Sequence, residues 1–234
     1  MSEFKRVRPL TALAAVMIAM VGAASLAFAN LSANPIIVEF TDGQAERQDI
    51  KVKNDGERTQ YVEITPFRIT APGEADEHLV TDPDPAKVGL LVAPRRMTLN
   101  PGEEKVIRVI RLPERVTADR AWRVEIKPLA GEIQGTKSGA VVQVGYRALV
   151  FVRPAAPRAT IEGRRNGTHL VLRNTGNTNA TLARGKQCPP GGAACVDLGG
   201  RRLWPGASWD ITLPATGPVT FGVFGPNGET PATF

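Results

Sequence analysis

Past residue 35 the chain alternates short apolar-rich runs with clusters of turn residues, on a period of two rather than 3.6. "NPIIVEF" runs into "TDGQ", and "RQDIKVKN" alternates strictly before meeting Asn54-Asp55-Gly56. "TQYVEITPFRIT" is interrupted by Pro66 and followed by "APGEADEH". "RRMTLNPGEEKVIRVIRL" reads as strand, Pro-Gly turn, strand, and "RAWRVEIKPL" puts Trp122, Val124 and Ile126 on one face. No stretch carries the stripe of a long amphipathic helix. Short strands at this spacing, punctuated by Gly, Pro and Asx turns, predict an all-β protein built of antiparallel sandwiches.

One run stands out. "AVVQVGYRALVFVRP", residues 140–154, is strand-forming almost throughout, against a usual strand of about 5–6 residues. It is too short, and too interrupted by Gln143 and Arg147, to cross a bilayer as a helix. One face carries Ala140, Val142, Val144 and Tyr146; the other carries Val141, Gln143, Gly145, Arg147 and Leu149. Beyond Pro154 the texture changes to shorter strands with more Gly and Asn, among them "THLVLRN", "RRLWPGASWDITLP" and "PVTFGVFG". A boundary there divides the chain into domains at 30–154 and 155–234.

The first 29 residues stand apart. Lys5, Arg6 and Arg8 precede an apolar stretch from Leu10 to Leu26, and Ala27-Phe28-Ala29 supplies a small-x-small cleavage pattern. Residues 1–29 therefore read as a secretory signal peptide, and the rest of the chain as exported. Export makes Cys188 and Cys195, in "CPPGGAAC", a disulfide pair. The formal net charge of +6 falls once the leader is removed; the scattered remainder describes a solvated surface and not a nucleic-acid binder. With His78 and His169 the only histidines, and no nucleophile elbow, phosphate loop or metal-ligand cluster, the chain reads as a non-enzyme without metal or cofactor. Trp204 and Trp209 read as core of the second domain, with a sugar-stacking platform as the alternative use of such residues.

The export signal, the two successive sandwiches, "LNPGEEKVIRV" and the long strand closing on "FVRP" together resemble the PapD-like periplasmic chaperones of pilus assembly. The resemblance spans the whole exported chain. It implies two immunoglobulin-like β-sandwich domains and function by strand donation: the long strand completes a pilin or spore-coat-like secreted subunit, which then passes to an outer-membrane usher. It also implies that Ala140, Val142, Val144 and Tyr146 bind the subunit, and that two copies could associate through the exposed strand. The family's two basic anchors for the carboxyl terminus of the subunit fall here at Ile37 and Leu149, neither of them basic. Arg147 is the nearest substitute, with Lys127, Arg95 and Arg96 on neighbouring strands. A non-catalytic surface-assembly or adhesion protein and a carbohydrate-binding module are the alternative functions of such a fold.

Overall fold

The computed structural model describes residues 31–41, 43–129, 143–188 and 194–234. The expected signal peptide, Ala140 and Val142 lie outside the described residues.

The architecture is all-β, in four sheets that pack in two pairs. In the first pair, β1 (Leu31–Asn34), β3 (Arg47–Asn54), β8 (Glu104–Arg111) and β6 (Leu90–Ala93) lie side by side in that order. Facing them is a sheet ordered β2 (Ile37–Phe40), β10 (Tyr146–Val152), β9 (Arg120–Leu129), β4 (Gln60–Thr70) and β5 (His78–Val80), with β7 (Arg96–Leu99) also on β4. A single helical turn, α1 (Pro85–Val88), is capped by the Asp84 side chain. The period-two pattern fills the space between the sheets: Ile50 and Val52 of β3 and Ile107 and Val109 of β8 meet Val62, Ile64, Val124, Ile126 and Val150. Trp122 is buried here too, and its indole N–H donates to the Val88 carbonyl at 2.7 Å.

The second pair joins β11 (Ile161–Asn166), β12 (His169–Asn174) and β16 (Ser208–Thr212) to a sheet ordered β14 (Val196–Leu198), β13 (Ala180–Gln187), β17 (Val219–Gly225) and β18 (Gly228–Thr233), with β15 (Arg201–Leu203) on β13. Leu170, Leu172, Leu182, Leu203 and Phe221 form its core. This core does not stop at the sandwich: Ile69, Ala121 and Phe151, from the outer face of the first sandwich, belong to it. Phe151 meets Trp204 edge-on with centroids 5.9 Å apart. The junction is therefore an extension of the second hydrophobic core.

One turn motif occurs in both sandwiches. The buried Asn54 amide donates to the carbonyls of Arg58 and Leu99, and its side-chain oxygen accepts from the Gly56 N–H. Asn174 repeats these bonds with Thr178, Leu203 and Gly176. Gly102 N–H donates to the Asn54 carbonyl and Gly206 N–H to that of Asn174, both glycines having positive φ (75° and 84°). The "LNPG" and "LWPG" turns thus clasp equivalent buried asparagines.

Cys188 and Cys195 form a disulfide across the β13–β14 connection. In the chain-entropy picture, closing so short a loop contributes about 2–3 kcal/mol. Denaturant titration of Cys188→Ser should show a loss of that size, matched by wild type under reductant. Coincident curves for all three samples would mean that the hairpin ladder alone holds this corner.

The predicted long strand is shorter as a ladder. β10 is paired over Tyr146–Val152, while residues 143–145 have no ladder partner among the described residues. The break falls opposite Pro128 of β9, a residue with no N–H to donate.

Candidate functional site: the open edge of β10

The first strand divides between the two sheets of its sandwich. β1 pairs antiparallel with β3, whereas β2 pairs parallel with β10. Between them lies Pro35, where the chain crosses from one sheet to the other. β2 therefore reaches only part of β10: Leu149 N–H donates to the Ile36 carbonyl at 2.8 Å, and Arg153 N–H to the Phe40 carbonyl at 2.8 Å. Backbone groups alternate sides along a strand, so those of Arg147 and Gly145 point to the same side as those of Leu149, and β2 does not extend to meet them. Among the described residues, the result is a strand edge that is satisfied downstream and open upstream. Ile36 and Ile37, 53% and 49% exposed, stand where β2 ends, and Val144 is 38% exposed beside the gap. An open edge flanked by apolar side chains is a template for another strand.

The sequence-predicted residues separate at this edge. Tyr146 shares the inward face with Ala148 and Val150; its ring packs on the first core, and its hydroxyl donates to the Leu31 carbonyl at 2.7 Å. Val144 is on the open segment. Arg147 is on the outer face, its Nε donating to the Glu125 carboxylate at 2.8 Å with the side chain still largely in solvent. The two positions where the family places its anchors, Ile37 and Leu149, are register partners. The next residue across the sheet from Leu149 is Arg123, followed by Phe67 on β4.

Arg123 was not singled out from sequence. The alternation of "RAWRVEIKPL" places it outward, but only the β9–β10 register puts it beside Leu149. Its guanidinium is about one-third exposed and 3.9 Å from Glu77, too far for a hydrogen bond. The other candidate cations are elsewhere: Arg95 donates to the Ile64 carbonyl, and Arg96 pairs with Glu63 on the far side of β4. Lys127 is exposed on the outer face, opposite Glu63.

Where the sandwiches meet, a buried polar cluster joins them. Arg153 bonds the Glu39 carboxylate and the Thr178 hydroxyl, lies 4.0 Å from Asp119, and stacks on Phe151 at 5.0 Å. Asp119 accepts from the Thr178 hydroxyl at 2.8 Å, the Asn179 N–H at 2.6 Å and the Asn179 amide at 2.5 Å. Burial pushes the Asp119 carboxyl above the usual aspartate range despite these donors and Arg153. Burial likewise lowers the pKa of Arg202, which lies over Phe151 and Trp204. On the opposite side the Ser208 N–H donates to Glu74 at 2.8 Å, and Arg201 bonds the Gly73 carbonyl. Polar contacts at two places thus join the two sandwiches beside their shared apolar core.

This frame has counterparts among known structures. The crystal structure of the class 5 fimbriae chaperone CfaA matches with a TM-score of 0.67, covering 87% of this chain and 98% of that one at 21% identity. The chain has the fimbrial-chaperone fold. A structure of the chaperone–tip adhesin complex of CFA/I fimbriae biogenesis aligns with the same fold at a TM-score of 0.65 and 20% identity, covering 88% of this chain and 98% of that one. By sequence, a CS1 fimbrial subunit of Escherichia coli is 24% identical over 204 residues, 82% of this chain and 84% of that protein. No family model matches the chain. The agreement in fold extends over 87% of this chain and so includes both sandwiches.

Proposed function

We propose that this protein is a periplasmic chaperone that captures fimbrial subunits by strand donation and delivers them to an outer-membrane usher. The observation that carries the reading is the edge of β10, closed by β2 from Leu149 onward and open before it. Residues 30–154 form the donating domain and 155–234 the second domain. The incoming strand pairs along the open edge, and the apolar row of Ala140, Val142 and Val144 fills its missing core positions, with Tyr146 closing the row at the chaperone's own sandwich. When no subunit is bound, the same edge is the surface through which two copies would pair. The proposed driving force is completion of the subunit's fold, without nucleotide or cofactor.

Register is the second requirement, because a slip of one residue turns every donated side chain to the wrong face. In this reading a cation in the cleft fixes it by binding the subunit's terminal carboxylate. Arg147 is hydrogen-bonded to Glu125 at 2.8 Å, whereas Arg123 sits beside the Ile37–Leu149 pair in a looser ion pair with Glu77 at 3.9 Å, which a terminal carboxylate can displace. A charge-assisted contact of this kind is worth about 1.5–3 kcal/mol, or roughly ten- to hundredfold in affinity. Arg123→Ala should lose that much, and Arg147→Ala less; the measurement compares subunits with and without their C-terminal residue. Equal loss for intact and truncated subunits would remove both arginines from this role.

The name of the Escherichia coli relative supplies a competing reading, in which this chain is itself a component of the fibre. Purified fimbriae separate the two. A chaperone copurifies with single subunits in the periplasm and is absent from the sheared fibre. Stoichiometric recovery from the fibre would overturn the chaperone reading.

A further inference from the structure

Strand parity sets a problem for donation. Val144 has the parity of Tyr146, Ala148 and Val150, which face the protein's own core. A regular extension of β10 would turn Val144 inward as well, and so away from any partner.

Two residues outside the apolar row bear on this. Leu149 N–H points to β2, so the backbone groups of even-numbered residues of β10 point to β9. On the other side of the sheet, Ile64 N–H points away from β9 to the Arg95 carbonyl. By the same alternation, even-numbered residues of β9 point to β10. The two assignments agree. Counting on from the Tyr146–Ile126 pair, the next hydrogen-bonding slot would join Val144 to Pro128. Pro128 has no N–H, so the Val144 carbonyl receives no donor from β9 there. The residue between the two slots is Gly145, where a Cβ would stand 3.0 Å from the Ile126 carbonyl oxygen and 3.4 Å from the Pro128 ring. The chain thus passes close to β9 at a point where a larger residue would crowd it.

We propose that Pro128 and Gly145 together end the β9–β10 ladder and set the boundary between the part of the strand that is kept and the part that is given. The proposal rests on the strand-donation reading. Among the described residues upstream of Gly145, Gln143 and Val144 have no rung with β9 and lie beyond the paired span of β2. Val144 can then rotate out of the inward row without dragging Tyr146, whose hydroxyl bond to Leu31 holds the retained half in place. Pro128 and Gly145 are positioning residues: neither needs to touch the subunit.

The test is Pro128→Val, which restores a donor in the slot facing Val144, with Gly145→Ala as the second variant. Amide exchange of the free protein, read residue by residue, should show the Val144 N–H unprotected in wild type, and in Pro128→Val both the N–H restored at position 128, which donates to the Val144 carbonyl, and the Val144 N–H protected. Capture of a pilin-like secreted subunit co-expressed in the periplasm should weaken about tenfold in that variant, since donation must now break a rung. Gly145→Ala, whose Cβ presses on the Ile126 carbonyl, should alter capture while leaving the melting midpoint nearly unchanged; if Pro128→Val fails to fold, this variant decides. Val144 already protected in wild type, or capture unchanged in a folded variant, overturns the inference. Wild type that captures no subunit overturns strand donation itself, a result distinct from either.

Discussion

Replacing Arg153 with alanine is expected to cost about 3–5 kcal/mol of stability, the range for removing one partner of a buried ion pair. The guanidinium is the positive centre of the elbow: its side chain is 9% exposed, it bonds Glu39 and Thr178, and the Asp119 carboxylate beside it is fully buried. Alanine leaves that carboxylate to its three neutral donors and uncovers one side of Phe151. The deficit should also depend on pH. Burial already raises the Asp119 carboxyl, and loss of Arg153 removes an influence that lowers it. A carboxyl whose folded pKa lies above its unfolded one stabilises most at low pH, and that contribution is lost as pH rises through the folded value. The Arg153→Ala deficit should therefore be smaller below the ordinary aspartate range than at neutrality. Denaturant titrations at both ends of this window provide the check; a deficit below about 1 kcal/mol, or one that grows on acidification, would remove the pair from the elbow's support.

Val144→Asp is expected to abolish capture. A carboxylate carried into an apolar groove without a partner costs several kcal/mol, and about 4 kcal/mol corresponds to a thousandfold loss of affinity. The free protein should melt as wild type does, because Val144 is 38% exposed and outside the first core. Co-purification and thermal melting are read together. An unfolded mutant would mean that Val144 serves the protein's own sandwich and that the donated face is a different one.

The period-two pattern carried most of the strand layout. Trp122, Val124 and Ile126 are buried on one face as their alternation predicts, and the Cys188–Cys195 pair is bonded. Strand register was not legible, because it depends on which strands become neighbours. Arg123 reads as one of three outward charges on β9 until Leu149 is placed opposite it. Asp119 reads as a loop acid, since the donors that surround it arrive from residues about sixty positions away. Pro128 was visible as a proline in a strand, but its effect depends on which neighbour its missing N–H would have served. The asparagine clasp was present in the letters as "NDG" with "LNPG" and "NTG" with "LWPG". Asn54 and Asn174 are 120 positions apart, whereas Leu99 and Leu203 are 104 apart, so the repeat has no fixed period.

That recurring clasp also bears on ancestry. Two buried asparagines with the same set of partners, each held by a proline-glycine turn, are what tandem duplication of a single sandwich would leave behind. Duplication frees one copy to diverge while the other preserves the shared frame. Around that shared clasp the two sandwiches differ: the first carries the strand whose edge is open before Leu149, and the second carries the Cys188–Cys195 bridge and an apolar core that takes in Ile69, Ala121 and Phe151 of the first.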